Sequence, residues 1–414
     1  MISNTILRFN EVMKNTVSKS KFLLIAMIAT LIGVGVHIYL TLHYYDIKFG
    51  LSAGDSMCNI NEVLNCDAVT ASKFSALLGV PIALWGVMTN LVLVYFLGVT
   101  RFNLVQDPDR TSRYALLLSG VTVLASVVMG LISVTAMSNL CIFCISAYVL
   151  SLVGFIFTWM GAEDVTAENI SNDIKDIFTS ERWVAGFLLA IPAFAFLANI
   201  MYLESHGLSD MEKMAKEKVA YWQVAPQQNF DLTKGLSMQK GTDEPVMTIV
   251  EFADFRCGHC KHAAAPLHSF TKNHPDVRLI YKPFPLDGTC NEAMKGGGGD
   301  GISCGLAFAT LCSEKIAQKG WVAHDYIFDN QEEITRMMNL DKNLESIAKA
   351  TGIQLEELKT CVKGTEIPEI VRNTAKEGEV AQIRGTPAIF VNGKLLDGGQ
   401  LIPVLEAAYK TLKK

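Results

Sequence analysis

Four stretches of this chain carry no Asp, Glu, Lys or Arg: residues 22–42, 74–100, 114–162 and 183–203. About 20 apolar residues cross a bilayer, so three of these stretches are single spans. The stretch 114–162 holds two, breaking at Ser138-Asn139. The pattern predicts five membrane helices, over about 22–42, 77–99, 114–137, 140–160 and 183–203. Gly79 and Pro81 suit the start of the second, and Pro192 kinks the fifth. The outer loop 43–73 is polar, with a short helical piece at 61–64.

Beyond residue 203 the period changes. Residues 204–240 mix Lys, Glu, Gln and Ser and read as a linker whose first part is a surface helix. Residues 246–255 are β-branched and aromatic, the mark of a buried strand. A helix follows at 261–272 and a strand at 277–282, closed by Pro283 and Pro285. Residues 302–364 are mostly helical. Strand 388–391 turns at Asn392-Gly393 into a partner at 394–396, and a last helix covers 401–413. The order is a β-α-β half, a helical insert and a β-β-α half.

Half of the 414 residues are hydrophobic and the net charge is −5, which argues for a membrane protein and against a nucleic-acid partner. The basic arm Arg8, Lys14, Lys19 and Lys21 runs straight into a full-length span and reads as a signal anchor with a cytoplasmic N-terminus. Arg101, Arg110 and Arg113 fit the second cytoplasmic segment. The third, 163–182, is more acidic than basic and adds nothing to the assignment. Five spans then place Cys58, Cys66, the turn before Cys141 and everything after 203 on one outer, oxidising side.

Ten cysteines are too many for a reduced cytosol unless they bind metal or do redox work. Cys257-Gly-His-Cys260 sits where a strand gives way to a helix. The helix dipole, and His259 when charged, favour the Cys257 thiolate; Cys260 is the buried resolving thiol. A half zinc site is the competing reading of this CxxC. Cys141 and Cys144 are three apart on a helix and share a face, with Tyr148 one turn on. Tyr148 either packs or donates to a quinone carbonyl. Cys58 and Cys66 form either a static bridge or a redox pair. Of Cys290, Cys304, Cys312 and Cys361, the expected bridges are Cys290–Cys304, closing a Gly-rich loop, and Cys312–Cys361, joining two insert helices. His37 and His43 flank the first span and are given no role.

The C-terminal part, residues 241–414, resembles the thioredoxin fold of DsbA-like proteins and disulfide isomerases. The resemblance implies a cis bond at Thr386-Pro387, Thr386 holding a substrate backbone, and Glu251 moving the Cys260 proton. Residues 22–203, within an expected membrane domain 1–203, resemble vitamin K epoxide reductase and its bacterial homologues: the loop pair, Ser72 six residues after Cys66, Gly79-x-Pro81, and the CIFC opening the fourth span. That resemblance implies electron passage from Cys257 to Cys58, from Cys66 to Cys141, and from Cys144 to a quinone, ubiquinone or menaquinone. Ser72 would position the loop or ring, and Trp85 would wall the quinone or simply pack.

The expected fold is a membrane α-helical bundle, a four-helix core plus a fifth helix, followed by an α/β thioredoxin-like domain with a helical insert. The expected activity is a thiol oxidase of the bacterial inner membrane. Its partners would be lipid, quinone and reduced periplasmic or secreted proteins, and it would hold no metal. The rival is a disulfide isomerase domain kept in its redox state by the fused membrane domain.

Overall fold

The computed structural model describes residues 2–51, 64–137, 139–239, 241 and 243–413, with side chains from residue 19 onward. The expected helical piece at 61–64 therefore lies largely outside the described residues, as does Cys58. The chain forms two compact units, one built mainly from residues up to 209 and the other from 210–414.

The first unit is helical. Its elements are α1 (Ile2–Phe49), α2 (Cys66–Ala71), a small hairpin β1 (Ala76–Leu77) and β2 (Val80–Pro81), α3 (Ile82–Arg101), α4 (Pro108–Ala136), α5 (Ile142–Gly161), α6 (Ala167–Thr179) and α7 (Arg182–Ser205). Five stretches are long and apolar enough to cross a membrane: Lys19–Phe49, Ile82–Arg101, Pro108–Ala136, Ile142–Gly161 and Arg182–Ser205. The first runs beyond the expected 22–42, so His37 and His43 lie within α1. The second starts later than expected because residues 76–81 turn back as the hairpin, with Gly79 at φ +80° and Pro81 capping α3.

The bundle packs through Leu23 and Ala26 of α1, Leu93, Phe96 and Leu97 of α3, and Tyr114 and Leu118 of α4. Close approach depends on glycine. A Cβ on Gly86 of α3 would lie 2.0 Å from the His37 ring, and one on Gly161 of α5 would lie 2.8 Å from Leu23. Val121, Leu124, Val128 and Leu131 of α4 stay exposed, as a lipid-facing stripe requires.

The acidic segment 163–182 forms the amphipathic α6, which sequence reading missed. Its Asp173 is buried against Arg113 at 2.5 Å, and Arg110 reaches Glu181 at 3.0 Å. The two arginines thus pair with Asp173, Asp176 and Glu181 of this segment.

The second unit holds α8 (Met211–Val224), β3 (Leu236–Gln239), β4 (Met247–Ala253), α9 (Gly258–Asn273), β5 (Val277–Pro283) and a 3₁₀ turn at Glu292–Gly297. Five insert helices follow: α10 (Ile302–Ala317), α11 (Gly320–Asp329), α12 (Gln331–Met337), α13 (Leu340–Thr351) and α14 (Leu355–Lys363). α15 (Glu366–Val380), β6 (Ala388–Val391), β7 (Lys394–Leu395) and α16 (Ile402–Leu412) complete it. The sheet order is β3-β5-β4-β6-β7, with only β4 and β5 parallel.

Residues 204–240 are more than a linker. Ala215, Val219 and Trp222 of α8 enter the core beside Val404, Leu405 and Ala408 of α16. β3 is the sheet's edge strand, so the domain begins near residue 210 rather than 241. The stripe at i, i+4, i+7 is the cause; three Lys and two Glu within α8 hide it in a composition reading.

Candidate functional site

Among the described residues, two sites carry free thiols. In the second unit, β4 delivers the chain to Cys257, which caps the N-terminus of α9. The turn before it is held by Asp254, whose carboxylate accepts from the backbone N–H of Arg256 at 2.7 Å and of Leu286 at 2.9 Å. The Gln331 side chain donates to the carbonyls of Phe255 at 2.8 Å and Cys257 at 3.0 Å. Cys257 is half-buried, Cys260 fully buried, and both are thiols. Cys257 also donates to the Thr386 carbonyl at 3.3 Å, and the Thr386–Pro387 peptide is cis.

Hydrogen bonding from Cys260 is the largest influence on Cys257. It outweighs partial burial, with help from Thr386 and the first backbone N–H groups of α9, and holds the thiol at about 6. Burial drives Cys260 well the other way. The pair is therefore asymmetric, one thiolate and one thiol at neutral pH.

Glu251 on β4 is fully buried and neither carboxylate oxygen has a hydrogen bond. Burial, then the Cys257 charge, pushes it up to about 8. Tyr281, opposite it on β5, is also fully buried with its hydroxyl unpaired. Tyr281 and Gln331 were not singled out from the sequence; both join the site only through strand pairing and helix packing. His259 is exposed on the first turn of α9.

In the first unit, residues ahead of α2 pair with residues ahead of α5. Leu64 bridges Leu140, and the Asn65 N–H donates to the Leu140 carbonyl at 2.9 Å. Asn65 then caps α2, accepting from the Ala68 N–H at 2.7 Å. This brings Cys66 and Cys141 into one buried cluster with Leu40, against which Tyr39, Phe143 and Cys144 pack. Cys141 caps α5, its sulfur accepting from the Cys144 N–H at 3.2 Å. Cys141 and Cys144 are thiols, and Cys66 is disulfide-bonded.

Tyr148 lies one turn beyond Cys144 with its ring against Gly130 of α4. Trp85 packs elsewhere, with Val34, Ala195 and an edge-on Phe196. The two expected quinone contacts thus belong to different packing groups. Ser72 is buried just after α2. Cys290 is bonded to Cys304 and Cys312 to Cys361.

A thiolate-bearing CxxC on a thioredoxin-type sheet, and a second thiol pair at the head of a membrane helix, define a thiol–disulfide oxidoreductase. Residues 24–159 match the vitamin K epoxide reductase family and residues 233–408 match a thioredoxin family. The chain is a vitamin K epoxide reductase family domain fused to a thioredoxin-like domain.

Among curated proteins it is similar to the probable disulfide bond formation protein D of Bacillus anthracis, 23% identical over 216 residues, which are 51% of this chain and 87% of that protein. It is also 23% identical over 171 residues, 41% of this chain, to the Na(+)/H(+) antiporter NhaA 3 of Salinispora tropica, of whose length the match spans only 24%. Among solved structures, oxidised BdbD of Bacillus subtilis superposes on 46% of this chain and 99% of its own, with 20% identity and a TM-score of 0.34.

Proposed function

We propose that this chain is a quinone-linked thiol oxidase of the bacterial inner membrane that supports disulfide formation outside the cytoplasm. Two electrons leave a reduced secreted or periplasmic protein and enter at Cys257–Cys260. They pass to Cys58–Cys66, then to Cys141–Cys144, and leave to ubiquinone or menaquinone drawn from the bilayer. Each transfer is thiolate attack on a disulfide through a mixed disulfide. The Bacillus anthracis relative is named for disulfide bond formation, and this reading gives the present chain the same direction of flow.

The observation that carries the proposal is the buried cluster of Cys66, Cys141 and Cys144. A structural loop bridge has no reason to be packed against a second thiol pair, whereas a relay requires it. The stabilised Cys257 thiolate makes the CGHC disulfide a ready electron acceptor from client proteins. Thr386 and Pro387 would hold the client backbone, and Glu251 would take and return the Cys260 proton. Ser72 would steady the loop.

On the membrane side, Tyr148 would donate to a quinone carbonyl while Cys144 presents its sulfur. Ile145, Val149 and Leu152 on the exposed faces of α5 fit entry from lipid. Trp85 would line the approach at most. The N-terminus would be cytoplasmic and the thioredoxin-like domain periplasmic.

The test is anaerobic quinone reduction by the purified full-length protein, driven by a reduced peptide dithiol. Cys257→Ala, Cys66→Ala and Cys144→Ala should each abolish turnover. Cys257→Ala alone should regain it with dithiothreitol, which can reduce the loop pair directly. Quinone reduction by Cys144→Ala would overturn the proposal.

A further inference from the structure

His43 and Asp67 meet beside the membrane-side cysteines. His43 lies on α1, and Asp67 follows Cys66 in the first turn of α2. Their Nε2 and Oδ1 atoms are 3.0 Å apart and both residues are buried. The His43 ring stacks on Tyr39 at 5.9 Å, and Tyr39 meets Phe143, the residue before Cys144, at 4.6 Å. Asp67 is near enough for its charge to act on the Cys141 sulfur. The other titratable groups here are Tyr39, Cys66, Cys141 and Cys144, with Tyr44 next to His43 and Asp46 one turn further along α1.

A buried imidazole–carboxylate contact is a poor source of stability, because desolvation offsets much of the attraction. Its place next to three cysteines calls for another role. The Cys66 sulfur sits in a cluster with Leu40, Val36, Val69, Ala83 and Phe143, apolar surroundings that disfavour a thiolate. Yet each exchange step needs one.

We propose that His43 and Asp67 form the proton-transfer pair for the exchange between the loop dithiol and the membrane disulfide. This inference rests on the relay proposed above. Cys66 gives its proton to the pair and its thiolate attacks the Cys141 sulfur. The Cys66–Cys141 bond forms, the Cys141–Cys144 bond breaks, and Cys144 leaves as a thiolate. The Cys58 thiolate, its own proton released to solvent, then attacks Cys66. The Cys58–Cys66 bond forms and Cys141 leaves, taking up the proton held by the pair. Two electrons have moved from the loop dithiol to the membrane pair.

The test is dithiothreitol-driven quinone reduction by the full-length protein from pH 6 to 9. The expected result for Asp67→Asn and His43→Gln is a loss of at least ~10-fold at pH 6.5. The deficit should shrink toward pH 9, where hydroxide can take the Cys66 proton in place of the pair, and Asp67→Glu should restore most of the rate. Wild-type rates at every pH, or an equal deficit at every pH, would overturn the inference; the latter marks a packing role. Cys257 alkylation at the wild-type rate reports an intact thioredoxin-like domain, and if Asp67→Asn does not fold, His43→Gln decides by the same profile. A wild-type protein that reduces no quinone sinks the relay itself, a separate result.

Discussion

Cys257 and Glu251 are two acids displaced in opposite directions by one environment. Cys257 is held at about 6 and Glu251 is pushed up to about 8. Alkylation of the reduced protein should therefore show a fast phase with a midpoint near pH 6, lost in Cys257→Ser. The sign for Glu251 is the reverse of the usual carboxylate. Its folded value lies above the ordinary one of 4.5, so the folded state holds a proton that the unfolded chain releases. Stability then falls as pH rises through that window, by about 1.4 kcal/mol per pH unit.

In the oxidised protein, where Cys257 does not titrate, burial still acts on Glu251. Glu251→Gln should then raise the melting temperature at pH 8–9 and leave it nearly unchanged at pH 4.5. An equal shift at both values would show that the carboxylate contributes only through packing. The two thiols were legible in the sequence because a strand, a CxxC and a helix follow one another without interruption, whereas Glu251 entered only through the resemblance to DsbA-like proteins. Gln331 and Tyr281 were not legible, since strand pairing and helix packing alone bring them to Cys257 and Glu251. The His43–Asp67 pair was hidden likewise: a contact between α1 and α2 leaves no periodic trace along the chain.

At the scale of elements, sequence period located the spans and strands well wherever composition was uniform. It failed where charge masked a narrow apolar stripe, missing α6 and the core-facing side of the expected helix α8, and where a hairpin displaced a helix start, as at 76–81. Two packing features make measurable claims. Gly86→Ala places a methyl group against the His37 ring and should cost about 1–3 kcal/mol, read as earlier thermal unfolding in detergent. Asn65→Ala removes the cap of α2 and should cost about 0.5–2 kcal/mol locally. Because α2 opens with Cys66, that variant should also slow loop-to-membrane exchange while leaving Cys257 alkylation unchanged. Unaltered exchange would mean that the Leu64–Leu140 bridge alone positions Cys66.

Over the whole molecule, the proposed electron path runs from the CGHC thiols through the loop pair to the membrane thiols and a quinone. Its central step is that Cys66 hands electrons to Cys141. The most direct measurement is to trap that handover in Cys144→Ala, which leaves Cys141 without its own partner. After oxidation of the full-length variant and digestion without reduction, mass spectrometry should find a Cys66–Cys141 linked peptide, absent when Cys66 is also replaced by Ala. Recovery of Cys141 as a free thiol, or bonded to any other cysteine, would contradict the account.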